Sequence, residues 1–170
     1  MHSINNTKTL ARDKDQWCTP FALFDNLDRE FNFSGDVCAT DDNALKKNYF
    51  TKERSAFAHE WDEIAQPTKR LFINPPYSLT AEFLERSAEQ AIKYNLTIVA
   101  IVNANTSAKW WHEAVKNAHE VRLITGRISF VDKLGDRRTG NTKGQAIIIF
   151  KKKANDKNKI IQVRREDLLV

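Results

Sequence analysis

A three-layer α/β sandwich, with a mostly parallel sheet that ends in an antiparallel hairpin, is the fold this sequence predicts. Three observations carry that reading. Short apolar runs alternate with amphipathic helical patterns along most of the chain. Thr97 to Val102 is almost continuously apolar, as a parallel strand covered on both faces requires. Two later strand-like stretches, Arg127 to Val131 and Gln145 to Phe150, flank the polar, glycine-containing segment 132–144 and read as the hairpin.

Taken in order, Thr19-Pro20 opens the first helix, with Thr19 as N-cap and Pro20 at the first helical position. Phe24, Leu27 and Phe31 form its apolar face. Phe33 to Ala39 reads as the first strand, although Asp36 in its middle is not what a buried strand prefers. Leu71 to Ile73 is the next strand, followed by a helix from Thr80 with Leu84, Ala88, Ala91 and Ile92 on one face. After the Thr97–Val102 strand comes a helix from about Ser107, striped by Trp111, Ala114, Val115 and Ala118, and then a strand over Val121 to Thr125. Only 37 residues separate Asp36 from Asn74, too few for two complete helix–strand units. Short strands near Tyr49-Phe50 and Ala56 to Trp61 are expected there instead.

The 170 residues suit a single domain, expected over 17–170 behind a flexible segment 1–16. No stretch approaches the roughly 20 apolar residues of a membrane span, and the first sixteen residues lack the apolar core of a secretory signal. A cytoplasmic protein with reduced Cys18 and Cys38 is expected. The cysteines and the four histidines have no metal-ligand spacing, so no metal is expected. With neither a P-loop nor a Gly-x-Gly-x-x-Gly run, an NTPase and a nicotinamide enzyme are disfavoured. Charge is uneven: residues 133–170 hold eleven Lys/Arg against four Asp/Glu, net +7, while the rest carries −2. Such a bias points to a basic face for a polyanion. Lys133, Arg137, Arg138 and Lys143, in and beside one loop near the sheet's end, are the candidate phosphate contacts, with the lysine-rich segment 151–165 as the alternative.

The most telling run is Asn74-Pro75-Pro76-Tyr77-Ser78, directly after Leu71-Phe72-Ile73. Two prolines supply no N–H to a ladder and fix φ twice, so the strand ends in a rigid turn. In open α/β folds that carboxyl edge is where ligands bind. A turn so stiff aims the Asn74 side-chain oxygen and the Pro75 carbonyl at one amino group, and Tyr77 offers a flat face to a base.

This run resembles the Asn/Asp-Pro-Pro-Tyr/Phe motif of amino-group methyltransferases. With Trp17-x-Thr19-Pro20, Asp36-Val37-Cys38-Ala39-Thr40, Asn43-Ala44, Tyr49-Phe50-Thr51 and Trp61, the chain over roughly 15–150 is similar to the compact Dam-type N6-adenine DNA methyltransferases of phages and prophages. The resemblance implies a Rossmann-like class I methyltransferase fold, S-adenosyl-L-methionine as methyl donor, and DNA as substrate, duplex first and single strands left open. It assigns Asn74 and Pro75 as acceptors for the target amine, Pro76 as the stiffener and Tyr77 as the stacking platform for a flipped adenine. Trp17, Thr19 and Pro20 would line the methionine end of the donor pocket. Asp36 would bond the donor's ammonium, with Ala39 and Thr40 replacing a Gly-rich turn. Methylation of another planar amino group, in an RNA base or a protein glutamine, uses the same four-residue motif, and a non-catalytic DNA-binding protein could keep the fold; both stay open at this point.

Overall fold

In the computed structural model, which describes residues 15, 18–132, 136–137, 143–152 and 158–170, the sheet has seven strands in the order β2-β1-β3-β4-β6-β5-β7. The strands are β1 (Gly35–Asp36), β2 (Asn48–Tyr49), β3 (Arg70–Ile73), β4 (Thr97–Asn103), β5 (Glu120–Thr125), β6 (Gln145–Phe150) and β7 (Lys159–Arg164). The helices are α1 (Phe21–Phe31), α2 (Thr80–Tyr94), α3 (Lys109–Asn117) and the single turn α4 (Arg165–Leu168). β2, β1, β3 and β4 run parallel, and β6 is antiparallel to both β4 and β5. The predicted α/β class and antiparallel ending are both present.

Alternation along the central strands builds two cores. Leu71, Ile73, Ile98, Ala100, Val102, Ala146, Ile148 and Phe150 point into one layer with Phe83, Leu84 and Ala91 of α2 and Trp111 and Ala114 of α3. Phe72, Val99, Ile101, Ile147 and Ile149 point into the other, against Leu23, Phe24, Leu27 and Phe31 of α1. A strand covered on both faces must be apolar at every position, which is why β4 and β6 read as unbroken runs. Helices α1 and α2 each stop at an Asn in the left-handed region, Asn32 (φ 52°) and Asn95 (φ 55°), shortly before a strand. Arg122 of β5 pins α1 to the sheet through a two-pronged bond to Glu30 at 2.6 and 2.7 Å, and also bonds Glu120 at 2.6 Å.

Several local expectations need correction. Arg127–Val131 is not a ladder strand. Gly126 (φ 83°) ends β5 and turns the chain off the sheet. The Ile128 N–H goes to the side-chain oxygen of buried Gln145 at 3.0 Å, while Ile128 and Phe130 pack into the α1 layer. Their alternation is that of a cover, not of a paired strand, and β6 takes β5 as its hairpin partner instead. The first strand shrinks to Gly35–Asp36, continued only by single bonds from Val37 N–H to Phe72 and from Ala39 N–H to Phe50. The stretch Ala56 to Trp61 forms no strand; a 3-10 turn, Trp61–Ile64, stands there, with the Trp61 indole donating to the Ala56 carbonyl at 2.8 Å. Trp61 is therefore a core residue. Ile92 is exposed rather than on the buried face of α2. β7 was not foreseen: it pairs parallel to β5 at the far edge, where only alternate residues are partly covered. Among the described residues, no helix is long and apolar enough to cross a membrane.

Gly35 marks the tightest packing. A Cβ there would sit 2.6 Å from the Ile64 carbonyl, 3.0 Å from a Leu71 methyl and 3.1 Å from the Asn48 carbonyl. Two of those neighbours are backbone and cannot yield cheaply. Gly35→Ala should destabilise the fold by about 1–3 kcal/mol in denaturant unfolding; an unchanged midpoint would show that the turn after Glu60 yields freely.

Candidate active site

From β1 the chain moves outward to β2, then returns to β3 on the other side of β1. Such a reversal opens a crevice at the carboxyl ends of the two parallel strands. Side-chain parity decides what faces it. Asp36 pairs with Phe72, and Phe72 with Val99, so Asp36, Phe72, Asn74, Ile101 and Asn103 share the α1 face. All five line one cleft together with Thr19, Ala39, Thr40, Pro75, Pro76, Tyr77 and Lys143.

The Asn74–Tyr77 turn leaves β3 as the prolines require and enters a 3-10 turn, Tyr77–Leu79, that leads into α2. Asn74 Nδ2 donates to Thr19 Oγ1 at 3.1 Å, so Oδ1 is the end of the amide left for the cleft. Tyr77 is 40% exposed, a ring face available at the mouth. Thr19 is not the N-cap of α1. The Pro20 carbonyl accepts the first helical bond, from Phe24 N–H at 3.1 Å, which makes Pro20 the cap and frees the Thr19 hydroxyl for Asn74. Pro20 itself is not among the residues lining the cleft.

Asp36 lies on the cleft wall and is almost wholly buried. The backbone folds around it: Cys38 N–H and Leu45 N–H donate to its two oxygens at 3.2 and 3.3 Å. Burial nevertheless dominates and pushes the carboxyl up to about 7, against the pull of those two bonds. Next to it the Cys38 thiol is pushed up to about 12, first by burial and then by the charges of Asp36 and Asp15, which favours its neutral form. The two cysteines are not joined by a disulfide. The loop between them and β2 is held by Asn43, whose side-chain oxygen takes the Thr40 N–H at 2.7 Å and whose amide approaches the Cys18 sulfur at 3.7 Å.

Of the sequence-predicted site residues, the structure gathers Thr19, Asp36, Ala39, Thr40, Asn74, Pro75, Pro76, Tyr77 and Lys143 around one cleft. Arg137 is exposed and pairs with Val131, which also pairs with Cys18. Trp17, Lys133 and Arg138 lie outside the described residues. Sequence reasoning missed Asp15, whose carboxylate accepts both the N–H and the hydroxyl of Ser78 at 3.1 and 2.8 Å. It also missed Asn103, whose side-chain oxygen takes the Gln145 amide at 3.3 Å, leaving its NH2 for the cleft. The second had a visible signal, since Asn103 ends an apolar strand just as Asn74 does. No pattern in the sequence announces the first.

A seven-stranded α/β sheet with this Asn-Pro-Pro-Tyr turn and a buried acid at adjoining strand ends defines a Rossmann-like methyltransferase. The match to known proteins is narrower. Residues 6–170 fit the family described as DNA N-6-adenine-methyltransferase (Dam), and the chain belongs to that family. It is 34% identical over 158 residues to the DNA N-6-adenine-methyltransferase of Haemophilus phage HP1, covering 91% of this chain and 87% of that protein. A second similar protein, the DNA N-6-adenine-methyltransferase of Escherichia phage T1, is 26% identical over 162 residues, covering 85% of this chain and 66% of its own length. Membership makes this chain an adenine-specific DNA methyltransferase.

Proposed function

We propose that the chain methylates N6 of an adenine turned out of the DNA stack, with S-adenosyl-L-methionine as donor, and that Asn74, Pro75 and Tyr77 handle the base while Asp36 holds the donor's ammonium. One observation carries this reading: the Asn74 oxygen and a buried carboxyl project from neighbouring parallel strands into the same cleft. A desolvated acid poised near 7 is a receptive partner for a cation, and small Ala39 and Thr40 leave room beside it. When bound, the donor supplies an electrophilic methyl on a sulfonium.

The residues' part follows from the nucleophile. An exocyclic adenine amine is weak because its lone pair is delocalised into the ring. Acceptors at both of its N–H groups favour the sp³ geometry in which the lone pair is free. Asn74 Oδ1 and the Pro75 carbonyl supply them, and among the described residues no donor competes for either. The turn is rigid, so these acceptors need no reorganisation as charge develops. Pro76 maintains that rigidity, and the exposed Tyr77 ring stacks on the extruded base. Lys143 at the cleft and Arg137 beside it would meet phosphates of the duplex, with Lys133 and Arg138 assigned to the same role from sequence.

Asn74→Ala should fold and bind the donor normally while turnover drops by about 10²–10³, as when one transition-state donor or acceptor is removed. Tyr77→Ala should lose more activity than Tyr77→Phe, because stacking needs the ring and not the hydroxyl. Both are read by incubating the protein with labelled donor and separate DNA, RNA and protein substrates, and identifying the product by mass spectrometry. Label in RNA or protein alone, or full turnover in Asn74→Ala, would overturn the reading.

Asp36 generates a pH prediction. The ionised form binds the ammonium, so donor affinity in calorimetry should be full above pH 7 and fall as pH drops through about 7, by up to about tenfold per unit. Cys38, neutral up to about 12, does not contribute in that range. Asp36→Asn should bind weakly with a flat profile. Wild-type affinity in Asp36→Asn would move the donor elsewhere.

A further inference from the structure

Asn74 Nδ2 donates to Thr19 Oγ1, and in that orientation the cleft is presented with Oδ1. Turned by 180°, the amide would offer an N–H to an amine that itself requires acceptors, and the turn would lose its chemistry while keeping its shape. The Thr19 hydroxyl, buried and 3.1 Å from Asn74 Nδ2, occupies the nitrogen end. We propose that Thr19 is a positioning residue, which acts by locking the Asn74 side chain with Oδ1 toward the target amine; the proposal rests on the role of Asn74 argued above.

The hydroxyl is itself held by its surroundings. On one side Cys18 exchanges backbone bonds with Val131 at 2.8 and 3.1 Å, and on the other Pro20 begins α1, whose apolar face is fixed in the core. A β-branched side chain between two such anchors has few rotamers open to it. Further along the same segment, Asp15 takes both polar hydrogens of Ser78. The segment thus holds the catalytic turn at both ends, at Asn74 and just beyond Tyr77. The Thr19 bond is the only one of these contacts that reaches the side chain assigned to the target amine.

The test uses the full chain, a DNA duplex and S-adenosyl-L-methionine, and compares Thr19→Val with Thr19→Ser. Valine keeps the shape and removes the oxygen; serine keeps the oxygen and removes the methyl. Three quantities are measured: donor affinity by calorimetry, the KM for DNA, and the single-turnover rate at saturation. Thr19→Val should lose about tenfold or more in rate with affinity and KM changed less than about threefold, and Thr19→Ser should restore most of that rate. A wild-type rate in Thr19→Val would overturn the proposal. So would a tenfold loss of donor affinity with an unchanged rate, which would make Thr19 a donor contact. Equal defects in the Val and Ser variants would reduce its role to packing. If Thr19→Val fails to fold, Thr19→Ala replaces it in the same comparison. Full turnover in Asn74→Ala would instead sink the assignment of Asn74, an outcome separate from any of these.

Discussion

The parallel pairing of β1 with β3 is the constraint on which the rest depends. It is short, two residues against a four-residue strand, and its register sets Asp36 opposite Phe72. A slip of one residue would turn Asp36 toward the α2–α3 layer and leave Asn74 alone on the α1 face. Gly35 enforces the fit, because the Ile64 carbonyl and the Asn48 carbonyl approach so closely that only a missing side chain is tolerated. The abbreviated 37–69 region has one geometric task, to carry the chain around this pairing and create the crevice. It does so with one two-residue strand and one 3-10 turn.

Electrostatics and rigidity are then divided between the two strand ends. At β1 a carboxyl is buried at the cost of its ionisation, which two backbone N–H bonds only partly recover. At β3 two prolines instead fix the turn that follows the strand, in the chain between Ile73 and the 3-10 turn at Tyr77. Asp15, Cys18 and Thr19 connect these ends: Thr19 and Asp15 reach the turn, and Cys18 reaches the loop around Asp36 through Asn43. The edge strand β7, by contrast, is remote from the crevice. It lies four strand steps from β3, roughly 19 Å at the usual spacing.

Much of this was legible in the sequence where one physical rule dominates. Continuous apolar runs named β3, β4 and β6, helical stripes named α1, α2 and α3, and the double proline marked the turn at the end of β3 that lines the cleft. The failures occur where two rules produce the same pattern. Ile128 and Phe130 alternate as in a strand, yet their job is to cover the α1 layer, and the bond to Gln145 that replaces a ladder comes from a residue seventeen positions away. Thr19 before a proline looks like any helix cap, and only the fold brings Asn74 close enough to claim its hydroxyl. β7 was hidden because an edge strand buries so little that its sequence remains that of a charged surface. Asp36 is out of place in a strand because the strand end delivers it, buried, to the cleft wall.

The central claim is that base and donor meet at the β1/β3 crevice with Asn74 Oδ1 and the Pro75 carbonyl on the amine. A crystal structure of the protein with a non-reactive donor analogue and a duplex containing a target adenine tests it most directly. The extruded adenine N6 is expected within about 3.2 Å of both oxygens, its ring on Tyr77, and the analogue's ammonium on Asp36. An adenine held away from Asn74, or an analogue seated outside this cleft, would contradict it.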